Sequence, residues 1–126
     1  MRETVDFGVD VKGETTQKAF AGKFTVKTSL SFRESLKEDE IRRNILGTNP
    51  DSAGAYAAVI ATALAYLGVR VVDAPEWWRQ SGNGLELKDD NVLQAINGAA
   101  VKEIDAEYAK LTKAAEEAGK DLKAAP

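Results

Sequence analysis

From residue 90 to the end of the chain, apolar residues recur at steps of three and four: Leu93, Ile96, Ala100, Ile104, Tyr108, Leu111, Ala115, Ala118 and Leu122. That spacing puts them on one stripe of a single helix, and the stripe never breaks. Asp89 or Asp90 in "KDDNVLQ" is a natural N-cap. A helix of about 33 residues from that point runs about 50 Å, whereas a folded domain of 126 residues has a radius of gyration of about 14 Å. The last turns must therefore project from the body, bend at Gly98 or Gly119, or fray. A projecting stripe that thins to Ala115, Ala118 and Leu122 gains stability by docking on a partner helix. The plain alternative is a solvated, frayed tail, "EEAGKDLKAAP".

The rest of the chain must supply the body. In "TVDFGVDVK", Val5, Phe7, Val9 and Val11 alternate with other residues, the period of a half-buried strand. "AFAGKFTVKT" repeats the pattern through Phe20, Phe24 and Val26, and polar "GETTQK" joins the two as an antiparallel hairpin. Two strands are marginal alone, so their apolar faces need a helix or another sheet. Ser31 and Glu34 have capping-box spacing and Gly47 is a favoured stop, predicting a helix over 32–46 that packs one narrow stripe of Phe32, Leu36, Ile41, Ile45 and Leu46. A second helix over 52–72 starts from Asp51 and Ser52 and is apolar nearly all round through Tyr56, Val59, Ile60, Ala63, Leu64 and Leu67, which predicts a central position. Val69, Val71 and Val72 suit a short strand as well, but continued helix is the favoured reading. Pro75 opens a short helix holding Glu76, Trp77 and Trp78, which Gly82-Asn83-Gly84 ends. The expected fold is α+β: one domain over 1–126, with a hairpin in 1–30, a helical core with the Trp-Trp and Gly-Asn-Gly turn in 31–88, and a long helix in 89–126.

Composition narrows the chemistry. The chain has no histidine and no cysteine, hence no imidazole base, no thiol and neither of the commonest zinc ligands. Its net charge of -3 is interleaved, as in "FRESLKEDEIRRN", and shows no basic stripe for a phosphate backbone. The apolar stretch over 53–69 falls short of a comfortable bilayer span, and "MRETVDFG" lacks the marks of a targeting segment. Gly8 and Gly13 stand at P-loop spacing, but Glu14 occupies the lysine position and would repel phosphate. The acid pairs Asp39 with Glu40, Asp73 with Glu76, and Asp89 with Asp90 read as solvated faces and helix starts. Catalysis, metal and cofactor are not expected. A carboxylate enzyme would need Asp73, Glu76, Asp89 and Asp90 to converge in a cleft.

Trp77 and Trp78 are the chain's two tryptophans. Neighbours on a helix point about 100° apart, so one pocket is not expected to hold both. One indole goes to the core and the other becomes a candidate anchor at a contact surface. Trp78, three residues after Pro75, is the better candidate for the inward position.

The segments "GKFTVKTSLSFRESL", "RRNILG" and "APEWWRQSGNGLELKDDNVL" resemble small proteins from the structural gene modules of tailed bacteriophages. The order in the second half, a tryptophan, a glycine turn followed by "LEL", then Asn91 and a helix with a tyrosine at 108, is similar to tail assembly chaperones. The resemblance spans Gly22 to Tyr108, and the N-terminal hairpin departs from the mainly helical folds of those chaperones. It implies a non-enzymatic protein that binds the helical tape measure protein and recruits tail tube subunits in the host cytoplasm. The competing expectation is a permanent virion subunit, such as a capsid decoration or head-tail joining protein, meeting capsid or connector subunits or further copies of itself. Candidate partner-binding residues are Trp77, Trp78, Tyr108, Leu111, Ala115 and Leu122, with nucleic acid and membrane not expected as partners.

Overall fold

The computed structural model describes residues 1–47 and 53–124, with side chains through 119. Strands β1 (Thr4–Lys12) and β2 (Ala19–Lys27) pair antiparallel, from Thr4 opposite Lys27 to Lys12 opposite Ala19. The alternation read from the sequence decides the faces. Val5, Phe7, Phe24 and Val26 are buried, while Thr4, Asp6 and Gly8 face out. Phe7 and Phe24, directly opposite each other, stack with ring centroids 5.3 Å apart, the kind of cross-strand aromatic pair that stabilises a sheet.

Helix α1 (Phe32–Leu46) begins with the expected capping box. The Glu34 amide donates to Ser31 Oγ at 3.2 Å and the Ser31 amide to Glu34 Oε1 at 3.0 Å. Gly47, at φ 87°, ends the helix and donates to the Arg43 carbonyl. The expected packing stripe is only half used. Phe32 is 92% exposed and Leu36 is also open, whereas Ile41 and Ile45 are half-buried.

Helix α2 (Ala55–Arg70) explains this, because α1 leans mainly on α2 and reaches the core at Ile45, near its end. Ile41 Cδ1 meets the position where Gly68 carries no side chain, and Arg70 bonds Glu38 at 2.6 Å while lying over the Tyr66 ring. Only the later half of α2 is central. Ala61, Ala63, Leu64, Ala65 and Leu67 are buried, but Tyr56 and Val59 stand exposed. The expected helix start at Asp51 and Ser52 lies outside the described residues.

The favoured continuation of this helix to residue 72 is not what forms. The helix stops at Arg70, and β3 (Val71–Asp73) pairs antiparallel with β2, giving a three-stranded sheet of order β1-β2-β3. β-branched Val71 and Val72 fit a pleated edge, Pro75 draws the preceding backbone toward extended geometry, and β2 offers a second edge of backbone hydrogen-bonding groups. Together these outweigh one more helical turn.

Helix α3 (Glu76–Gln80) follows Pro75, and α4 (Asp90–Ala124) closes the fold. Val92, Leu93, Ile96, Ala100 and Ile104 are buried, completing a core shared with Val5, Phe24, Val26, Leu67 and Trp78. The 35 residues of α4 form one continuous helix through Gly98 and Gly119, about 52 Å long at the standard rise. Of the three outcomes open to so long a stripe, projection is the one adopted.

Candidate interaction surface

The two indoles do share a neighbourhood, contrary to expectation. Trp78 is 1% exposed and meets Phe24 edge-on at 5.6 Å. Trp77 meets the same ring edge-on at 5.8 Å and Phe20 at 5.2 Å, and its Nε1 donates to the Ala21 carbonyl at 3.0 Å. The 100° between neighbours is used to approach one ring from two sides. Trp78 is therefore core and touches no outside partner, while half-buried Trp77 is spent on holding α3 to β2.

A run of left-handed backbone at Gly82, Asn83 and Gly84, with φ of 65°, 56° and 97°, turns the chain back behind the indoles. Ser81 Oγ donates to the Trp78 carbonyl and accepts from the Gly84 amide. A side chain at Gly84 would come within 2.7 Å of the Trp78 ring and 2.9 Å of Leu64. The turn thus leaves Leu85 exposed and brings Leu87 against the core.

Asp89 does more than start α4. Its main-chain carbonyl accepts from the Val92 and Leu93 amides, as an N-cap carbonyl does, but its buried carboxylate crosses to the β1–β2 loop. There it accepts from the Thr15 amide at 2.7 Å, the Thr16 amide at 2.9 Å and the Thr16 hydroxyl at 2.6 Å. The Thr16 hydroxyl bond, followed by these amides, holds the Asp89 carboxyl below the usual carboxylate range. Asn91 completes the clasp, accepting from the Glu14 amide and donating to the Lys12 carbonyl. The turn just beyond the P-loop-spaced glycines binds an anion through the Thr15 and Thr16 amides, and the anion is the protein's own Asp89.

The last buried side chain of α4 before it leaves the body is Glu107. Arg2 grips it through Nε at 2.9 Å and a terminal nitrogen at 2.7 Å, and Lys110 adds a bond at 3.2 Å. The Arg2 bonds dominate in drawing the Glu107 carboxyl down to about 2. Beyond this latch the stripe emerges. Tyr108 is 42% exposed and Leu111 49%, and Ala115 and Ala118 are exposed as well. Leu122 lies outside the described side chains.

No protein family, curated protein or solved structure matches this chain. The surface must be read from its own chemistry.

Apart from Asp89, the paired acids are occupied locally. Asp39 bonds Arg42 and Arg43, Glu40 pairs with Lys37, Asp73 holds its neighbour's amide and Arg79, and Glu76 and Asp90 each accept from a glutamine one turn on. Among the described residues, no three acids gather as a metal site, and no helix is long and apolar enough to cross a membrane.

Glu107 was missed by sequence reasoning, although a signal existed. It falls between Ile104 and Leu111 on the buried side of the helix, where an acid demands a cation. Tyr108, four residues after Ile104, satisfies the stripe as well and masks the acid one place earlier.

Proposed function

We propose that this chain is a non-enzymatic morphogenesis protein of a tailed bacteriophage, a tail assembly chaperone whose projecting helix receives helical tape measure protein and tail tube subunits. The observation that carries the reading is the face of Tyr108, Leu111 and Ala115, exposed at helical spacing on a helix that has outrun its domain. Anchors at such spacing are how one amphipathic helix engages another. The resemblance over Gly22 to Tyr108 supplies the phage context, with action in the host cytoplasm during assembly.

Mass spectrometry of purified virions tests the reading. The protein is expected in infected-cell extracts, together with the tape measure protein, and missing from mature particles. Stoichiometric copies in the virion overturn it.

That second outcome is the alternative, a structural subunit of capsid or head-tail junction. It is favoured by one feature, the nine-residue strand β1 at the edge of the sheet, since an edge strand can pair with a neighbouring subunit.

A further inference from the structure

Asn83 and Asn97 are each followed by glycine. An asparagine so placed can lose ammonia. The amide nitrogen of the next residue gives up its proton and attacks the side-chain carbonyl carbon, and the side-chain nitrogen leaves as ammonia, closing a succinimide ring. Water then opens the ring at either carbonyl to give aspartate or isoaspartate, so the side-chain amino group is exchanged for a hydroxyl. Glycine favours the first step because no Cβ shields its nitrogen.

The two sites differ in what holds the attacking nitrogen. At Gly98 it belongs to the hydrogen-bond ladder well inside α4, and Asn97 Oδ1 is buried. At Gly84 one side chain holds it: the amide donates to Ser81 Oγ at 3.0 Å, and that hydroxyl is itself tied to the Trp78 carbonyl at 2.6 Å. Asn83 is exposed, so water reaches its carboxamide. Its left-handed φ of 56° belongs to the closed turn, and cyclisation needs the backbone there to rotate. With Gly84 pressed against Trp78 and Leu64, that rotation opens the turn.

We propose that Asn83 is a deamidation site gated by the Ser81 hydroxyl. In the closed turn the Gly84 nitrogen keeps its proton on Ser81 Oγ and the reaction waits; each local opening releases the nitrogen. The step is one-way. Isoaspartate adds a carbon to the main chain just before Gly84, where a single Cβ would already come within 2.7 Å of the Trp78 ring, so the longer chain cannot resume the turn. The site needs no partner protein and stands separately from the function proposed above.

Peptide mapping by mass spectrometry, after incubation of the folded protein in mildly alkaline buffer, tests the gate with Asn97 as internal reference. In the parent protein Asn83 is expected to react faster than Asn97, and both to react faster still, at similar rates, once urea unfolds the chain. Ser81→Ala, with its circular dichroism checked against the parent, is expected to speed Asn83 by about tenfold, the scale set by losing two hydrogen bonds, and to leave Asn97 unchanged. Ser81→Thr, which keeps the hydroxyl, should hold the parent rate. The isoaspartate form, separated by ion exchange, should melt below the parent. Asn97 reacting ahead of Asn83 in the parent, equal acceleration of both in a folded Ser81→Ala protein, or no acceleration at Asn83 overturns the proposal.

Discussion

Thr16 and Asp89, 73 residues apart in the chain, are joined by two hydrogen bonds, 2.9 Å from the Thr16 amide and 2.6 Å from its hydroxyl. The contact ties the hairpin's loop to the first turn of the longest helix. Asp89→Ala is expected to lower the melting temperature by several degrees and to broaden NMR amide signals of residues 14–16. Gly13→Ala, whose new methyl would fall 2.4 Å from the Asp89 carboxyl, should do the same. A sharp, unshifted loop spectrum in both variants contradicts the clasp.

Acid should weaken the fold in a defined window. Glu107 and Glu34 are both drawn from an ordinary 4.5 to about 2, by Arg2 and Lys27 respectively. Their lowered values mean that the unfolded chain binds protons more tightly. The stabilisation is complete above about pH 4.5 and drains away as the pH falls toward about 2. In Arg2→Gln the Glu107 carboxyl loses its main partner and its pKa moves back toward the unfolded value, so denaturant titrations should show lower stability at neutral pH and a shallower acid-side decline. An unchanged profile would mean that the latch carries no charge coupling.

The glycines make opposite predictions. At Gly84 both left-handed backbone and crowding against Trp78 and Leu64 oppose a side chain, so Gly84→Ala should cost about 2–4 kcal/mol in urea unfolding. At Gly98, mid-helix with open space around it, Gly98→Ala should stabilise by about 1 kcal/mol. A Gly84→Ala protein as stable as the parent would refute the close approach of the Trp78 ring.

The indoles should separate by degree. Trp78→Ala removes a buried ring and is expected to cost about 4 kcal/mol, enough to threaten a domain of ordinary stability. Trp77→Ala, which loses a half-buried ring and one hydrogen bond, should cost about 2 kcal/mol and leave a folded protein. Equal losses in calorimetry would contradict the placement of Trp78 inside Trp77.

What the chain discloses in advance is what local spacing controls. Strict alternation through Val5, Phe7, Phe24 and Val26 placed the strands, Ser31 with Glu34 placed a helix start, and steps of three and four carried α4 through to its exposed end. Distant partners decided the rest. Val71 and Val72 suit helix and strand about equally, and only β2's available edge selects the strand. Asp89 reads as a local cap until the loop at Thr15 and Thr16 arrives. Phe32 and Leu36 fit a packing stripe, yet α1 packs mainly on α2, with Glu34 reaching Lys27 of β2, and leaves them in solvent. For the interaction surface, Tyr108, Leu111 and Ala115 were legible as a continuing stripe, whereas Trp78 was withdrawn from it by Phe24, a contact 54 residues away in sequence.

The role proposed for the projecting face is tested most directly by isothermal titration of the purified protein with a tape measure protein of a tailed bacteriophage. Saturable binding is expected, lost in Leu111→Glu and Ala115→Glu while circular dichroism keeps its helical signal. Absence of binding, or binding that both substitutions leave intact, would contradict the assignment of this helix as the docking element.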